Sequence, residues 1–261
     1  MIIEKNQVKH AFSKASTSYD QAAQLQRQIA QTFLALIDRA DLHGIIVDLG
    51  CGTGFLTEIL LQQPAVYEQL IAVDIALPML KTTRQKFAAQ EKLTYLCADA
   101  EALPFADNSI DGIASNLALQ WCDGSVGVFN NLARVLKPNG WLSFTTFGTQ
   151  TLHELKTAWA KVDSHRHVNP FYNPAQLTGF LTQAGFSKIR ITSTHYQQGY
   201  HSVLALMREL KAIGAHNVMA DRKRHLTGKT MLQNMMAAYP LADTEPFVLA
   251  TYEVLTVTAK R

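Results

Sequence analysis

The chain has 261 residues, 48% of them hydrophobic and 17% charged, with a formal net charge of +3. That length can bury a sizeable core in one domain spanning 1–261, and so small a charge gives no ground for a nucleic-acid partner. Cys51, Cys97 and Cys122 are widely spaced, with neither a CxxC pair nor metal-ligand spacing, so neither metal nor disulfide framework is expected. "MIIEKNQVKHAF" lacks the pattern of a signal peptide, and no window approaches the roughly 18 uninterrupted apolar residues of a membrane span. A cytoplasmic protein without a membrane partner is the expectation.

Residues 1–40 read as an N-terminal helical segment, with Leu25, Ile29, Phe33 and Leu36 at helical spacing. "GIIVDLG" then reads as a buried strand, and "GCGTG" turns it into the helix "FLTEILLQ". The alternation continues through strand "QLIAVDI", helix "PMLKTTRQKFAAQ", strands "LTYLCAD" and "SIDGIAS", and helix "SVGVFNNLARVL". "KPNG" is a turn by composition, and "WLSFTTF" is the next strand. "NPAQLTGFLTQAG" is a helix with Gly185 as its C-cap, and "SKIRITSTHYQ" and "FVLATYEVLTVTAK" alternate as strands. Seven strands with interleaved helices specify an α/β fold with a doubly wound, mainly parallel sheet. Residues 200–240 break the alternation and read as a helical insertion, or lid, between the last two strands.

"VDLGCGTG" puts Gly50, Gly52 and Gly54 at the first strand-to-helix turn, where a ligand can approach the main chain closely. Asp74 ends the second strand, placed to accept bonds from ribose hydroxyls. The third glycine comes one residue too early for a dinucleotide fingerprint. Asp48, two residues before the first glycine, would repel a pyrophosphate and attract a cationic ligand. Asp99 ends the third strand, where a carboxylate could meet an adenine amino group or simply cap a helix.

Together "VDLGCGTG", "VD", "ADAEALPFADNSID" and "LKPNGWL" resemble the class I S-adenosylmethionine-dependent methyltransferases over roughly residues 45–150. The resemblance implies a Rossmann-like fold with Gly50, Gly52 and Gly54 under the methionine part of S-adenosylmethionine. Asp74 would then hold the ribose, with Asp99 and Ala100 framing the adenine. "AFSKASTSYDQAAQLQ", "LALQWC", "FTTFGTQTLHEL", "LMRELKAIGAHN" and "HLTGK" resemble one family within that class, the malonyl-acyl-carrier-protein O-methyltransferases of biotin synthesis. This implies methyl transfer to the free carboxylate of a malonyl thioester on an acyl carrier protein.

A carboxylate is already ionised at neutral pH and needs no base. The loop "SNLALQWCD" agrees, offering Gln120, Trp121 and Cys122 but no His or Glu, while Asp123 reads as a helix cap. A base could otherwise come from His165, His167, His195 or His201. Tyr19 and Gln26 are candidates for closing over the cofactor, Tyr19 also for binding substrate, Gln120 and Trp121 for contacting the cofactor or walling off the thioester arm, and Phe147, Tyr172 and Tyr200 for pocket aromatics. Arg208 is the first choice to grip the carboxylate. Residues 200–240 hold six Lys/Arg against two acids, so Lys211, Arg222, Lys223, Arg224 and Lys229 become candidates for docking an acidic carrier protein. A solvated helix face is the alternative. A quinone-type C-methyltransferase and a non-catalytic adaptor remain competing readings; the first needs a base, and the second has no need of three intact acids.

Overall fold

The computed structural model describes residues 4–63, 66–122, 125–215, 228–240 and 247–261. The N-terminal segment forms three helices, α1 (Lys5–Ala15), α2 (Tyr19–Ala22) and α3 (Gln24–Leu34). Val8, Ala11 and Ala15 make the buried stripe of α1, and Leu25, Ile29, Ala30 and Phe33 that of α3. Leu36, expected on the same stripe, lies beyond the end of α3 and is exposed.

The alternation then runs β1 (His43–Leu49), α4 (Phe55–Leu61), β2 (Val66–Asp74), α5 (Leu77–Lys86), β3 (Leu93–Cys97), β4 (Ile110–Asn116), α6 (Ser125–Val135) and β5 (Leu136–Phe147). After it come α7 (His153–Ala160), α8 (Pro174–Gln183), β6 (Ser187–Tyr200), α9 (Val203–Ala212), α10 (Lys229–Ala238) and β7 (Val248–Lys260). Local chemistry sets several boundaries. Asn173 and Gln176 form a capping box ahead of Pro174, and Gly185, at φ 88, follows the end of α8. "KPNG" is not a free turn. It is an irregularity inside β5, with Asn139 at φ 66, where pairing with β4 jumps from Ile110–Leu136 to Gly112–Trp141.

The seven strands lie in the order β3-β2-β1-β4-β5-β7-β6, and only β7 runs antiparallel to its neighbours. Helices cover both faces. One core packs α6 and α8 on the sheet, and the other packs α3, α4 and α5. The chain reverses direction across the sheet between β1 and β4, so a crevice opens at their carboxyl ends, the general ligand position in such sheets. A third cluster, around Phe147, Trp159, Leu206 and Tyr252, packs α7, α9 and α10 beyond the ends of β5 and β7.

The helical insertion begins at Val203, because β6 continues to Tyr200. Residues 216–227, including "DRKRH", lie outside the described residues. The insertion braces the N-terminal helices. Ser18 donates to the Ala212 carbonyl at 2.9 Å, and Gly214 packs so closely on α1 that a Cβ there would lie 3.2 Å from the Ala11 carbonyl oxygen. No helix among the described residues is long and apolar enough to cross a membrane.

Candidate functional site

The crevice beyond β1 and β4 holds a cavity of about 760 Å³, partly open to solvent, with Gly50, Gly52, Asp74, Asp99 and Ala100 in its wall. Its floor is the glycine loop. The Gly50 and Cys51 amides both donate to the Val73 carbonyl, at 2.7 and 3.0 Å, which folds the loop back onto β2. Gly50 sits at φ 73, and a Cβ there would come within 2.2 Å of the Ala118 Cβ, so only glycine lets the two loops meet. Gly54 has a different role from the one expected. It stands at the N-terminus of α4 at φ 90, outside the cavity wall, with Thr83 and Phe87 of α5 where its Cβ would be.

Asp74 is buried at the cavity edge. Its Oδ2 accepts from the Gly52 amide at 2.9 Å and its Oδ1 from the Ala76 amide at 2.7 Å. Each oxygen keeps a lone pair, so the residue orders the glycine loop and can still accept from a ligand. Burial lifts its carboxyl to about 6 against the pull of those two donors. Asp48 does not reach the cavity wall. It is fully buried beneath the loop, its Oδ2 accepts from Thr57 at 2.5 Å, and its Oδ1 has no hydrogen-bond partner among the described residues. Burial raises its carboxyl to about 7; the Thr57 hydroxyl opposes the shift and the Asp74 charge adds to it. Its influence on a ligand therefore acts through space.

Asp99 combines both expected readings. Its Oδ1 caps the following turn through the Glu101 amide at 2.9 Å, its Oδ2 pairs with Lys5 at 2.6 Å, and the residue lines the cavity. Lys5 also pairs with Glu101 at 2.6 Å. Lys5, Val8 and Phe12 bring α1 over the cavity, and Tyr19 of α2 joins them. Burial, and then the charges of Asp74 and Asp20, push the Tyr19 hydroxyl upward, so it is held as a neutral donor. Lys5 and Asn116 went unread in the sequence. The spacing of Val8, Ala11, Phe12 and Ala15 was the available signal for α1.

The loop after β4 divides the space. Leu117 adopts φ 52 and is held by its amide bonds to the Thr145 carbonyl (3.1 Å) and Thr145 Oγ1 (3.0 Å). Asn116 accepts from Thr145 at 2.7 Å and donates to the Gln26 carbonyl at 3.0 Å, tying α3 to this loop. Gln120 turns away from the first cavity, and its Oε1 accepts from the Phe147 amide at 3.2 Å. Trp121 lines both the first cavity and a second one, with Phe12 edge-on to its ring at 5.3 Å. Burial pushes the Cys122 thiol upward, so it is a protonated wall residue and no nucleophile.

The second cavity, about 540 Å³ including open space, is walled by Phe147, Leu155, Phe171, Leu210, Ile213 and Tyr252, with Gln26, Gln120, Thr151, Asn169 and His167 as polar contributors. Sequence reading named Phe147 as a pocket aromatic; Gln26 and Gln120, read there as cofactor contacts, line this second cavity and not the first, while Trp121 lines both. That reading misplaced Tyr200, which lies one layer behind: its hydroxyl donates to Glu209 at 2.7 Å and touches the Tyr252 hydroxyl at 3.3 Å. Tyr252 is the tyrosine in the wall. Tyr172 sits edge-on to Phe180 and lines a smaller neighbouring cavity instead. Arg208 is exposed and lines neither of the two main cavities, because Leu210 and Ile213 occupy the inward face of that segment.

Of the four histidines considered, only His167 borders the second cavity. Its ring stacks on Trp159 at 3.6 Å and its Nε2 meets Asp163 at 2.8 Å. His165, His195 and His201 are exposed. Lys211 and Lys229 are also exposed, while Arg222, Lys223 and Arg224 lie outside the described residues. No group of three potential metal ligands gathers among the described residues.

The donor set of the first cavity fits S-adenosylmethionine. Asp74 and Asp99 line it and the orphaned Asp48 oxygen lies beneath it, so a cation is favoured and a pyrophosphate opposed.

Comparison with known proteins agrees. The methyltransferase domain family matches residues 47–144. The malonyl-[acyl-carrier protein] O-methyltransferase of Methylococcus capsulatus is 40% identical over 99% of this chain and 94% of its own length. The biotin biosynthesis bifunctional protein BioHC of Saccharophagus degradans is 41% identical over 96% of this chain, which spans only 45% of that longer protein. Among solved structures, a methyltransferase from Bacillus halodurans superposes with a TM-score of 0.60 at 14% identity, covering 90% of this chain and 97% of its own. Phosphoethanolamine N-methyltransferase 2 of Haemonchus contortus, in complex with S-adenosyl-L-methionine, gives 0.56 at 14% identity over 95% of this chain and 57% of that one. The chain is an S-adenosylmethionine-dependent methyltransferase, and it belongs to the malonyl-[acyl-carrier protein] O-methyltransferase family.

Proposed function

We propose that this enzyme methylates the free carboxylate of a malonyl thioester borne on an acyl carrier protein, in the service of biotin synthesis. The observation that supports this best is a contrast of charge. The first cavity is bordered by two carboxylates, Asp74 and Asp99, against one cation, Lys5, whereas no acidic side chain among the described residues lines the second, which adjoins it across Trp121. An anionic acceptor is thus turned away from the cofactor's binding surface and admitted next to it.

S-adenosylmethionine supplies an electrophilic methyl group on a sulfonium, so the protein's task is alignment and partial removal of water. Asp74 and the backbone of Gly52 would hold the cofactor, with Asp99 and Ala100 available to its adenine. Lys5, Val8 and Phe12 cover it. Trp121 would face the acceptor from the dividing wall and Gln26 from α3, an indole and an amide whose N–H groups can donate to a carboxylate. Phe147, Phe171 and Leu155 give the thioester arm a dry channel. No proton needs to leave the acceptor, which accounts for a dividing loop with no base in it. Esterification removes the charge, so the chain can be elongated as an ordinary acyl primer.

The test uses methyl-labelled S-adenosylmethionine with malonyl-carrier protein, malonyl-CoA and acetyl-carrier protein. Base-labile label on the malonyl substrates alone is expected. Label on the acetyl carrier, which has no free carboxylate, would overturn the reading.

A further inference from the structure

The second cavity does not end at His167. That residue, Val168 and Phe171 also line an outer cleft of about 970 Å³, much of it open to solvent, so the two spaces share a wall. The outer cleft shares no residue with the cofactor cavity. Its described walls carry Lys156, His165, Arg166 and His167 against a single acid, Asp163, which is engaged by His167 at 2.8 Å. Among the described residues the lining thus holds two formal cations, Lys156 and Arg166, to one formal anion. Lys156 is held in place, its Nζ donating to the Thr149 carbonyl at 2.9 Å and resting 5.4 Å from the centre of the Phe171 ring. Flat stacking on Trp159 fixes His167 at the junction of the two spaces.

We propose that this cleft seats the phosphate at the outer end of a pantetheine-type thioester arm whose acyl end lies beside Trp121. The inference rests on the malonyl-thioester reading above. The apolar channel followed by a cationic mouth matches such an arm in order: a reactive carboxylate innermost, an uncharged stem, and a phosphate where the arm joins its carrier. Lys and Arg are the side chains that hold phosphate most strongly. Burial keeps the Lys156 ammonium below its ordinary pKa, and a phosphate anion beside it would oppose that shift. This site would read the prosthetic arm, whereas the docking role expected of Arg222, Lys223 and Arg224 concerns the carrier's protein surface.

The same phosphate occurs in coenzyme A and in the carrier protein's prosthetic group, so the experiment compares malonyl-pantetheine, malonyl-4′-phosphopantetheine, malonyl-CoA and malonyl-carrier protein at low salt. The wild-type enzyme is expected to show a KM for malonyl-4′-phosphopantetheine at least about tenfold below that for malonyl-pantetheine, a difference of about 1.4 kcal/mol. In K156Q/R166Q that preference should disappear, with cofactor affinity retained. Because Lys156 is half-buried, H165Q/R166Q, which alters only exposed positions, is run beside it and should reduce the preference in part. The inference is overturned if the wild-type enzyme ignores the phosphate, if both variants keep the full preference, or if they lose only carrier-protein use while CoA and phosphopantetheine are unaffected. Failure to esterify any of the four substrates would instead refute the malonyl-thioester reading.

Discussion

Lys5 of α1 and Asp99 after β3 meet at 2.6 Å across the mouth of the cofactor cavity, joining two segments 94 residues apart. Each side chain is about one-third exposed, so the pair contributes on the order of 0.2–1 kcal/mol and weakens with salt. K5A should therefore raise the cofactor Kd by roughly two- to fivefold at low ionic strength, with the gap closing in 0.5 M salt. Titration calorimetry at two salt concentrations checks this; a salt-independent loss would mean that Lys5 acts by packing.

Gly50→Ala puts a methyl group 2.2 Å from the Ala118 Cβ at a positive φ. Loss of cofactor binding and a Tm drop of several degrees are expected. G50A/A118G removes the facing methyl and should recover part of both, leaving the backbone cost of about 1 kcal/mol. No recovery in the double variant would show that the strain lies in the Gly50 backbone alone.

Asp48 and Asp74 give the protein a pH signature. Their folded pKa values, about 7 and about 6, lie above the ordinary carboxylate value of 3.8. Between about pH 4 and pH 7 the folded apo protein keeps protons that the unfolded chain releases, so this contribution to stability falls as pH rises through that window. Cationic cofactor runs the other way. It favours both ionised carboxylates, so its affinity should climb from pH 5 to pH 8 with net proton release. Calorimetry in buffers of different ionisation enthalpy measures that release, and D48N should shrink it while flattening the apo Tm profile.

Tyr200→Phe should cost about 1.5–3 kcal/mol of stability, the range for a hydrogen bond to a charged group, by removing the 2.7 Å bond to Glu209. Cofactor affinity and the KM for the malonyl substrate should hold. Tyr252→Phe, which alters the cavity wall itself, should change that KM. A raised KM in Tyr200→Phe without a stability loss would return Tyr200 to the substrate-contacting set.

Features governed by neighbours in sequence were legible before any coordinates: the glycine loop, the acids closing β2 and β3, the capped α8, and the seven strands. Where distant elements chose the facing side chain, the reading slipped. Tyr200 and Tyr252 are equally aromatic, and only the pairing of β6 with β7 decides which ring meets the cavity. Arg208 belongs to a family-like motif, yet helical geometry gives the inner face to Leu210 and Ile213. Gly54 looked like part of the ligand cradle because it completes a glycine pattern, but the approach of α5 is what demands it. Lys5 was unreadable because nothing near it in sequence marks it out: its role comes from Asp99, 94 residues away.

The brace between the insertion and the N-terminal helices ties together two otherwise separate doorways. Ser18 bonds to the Ala212 carbonyl, and Gly214 lies against Ala11 and Ala15. The same stretch supplies Leu210 and Ile213 to the acceptor channel, while α1 roofs the cofactor. A displacement of α1 would therefore be felt at Leu210 and Ile213 through Ser18 and Gly214, so one short stretch of chain couples the wall of the acceptor channel to the cover of the cofactor cavity.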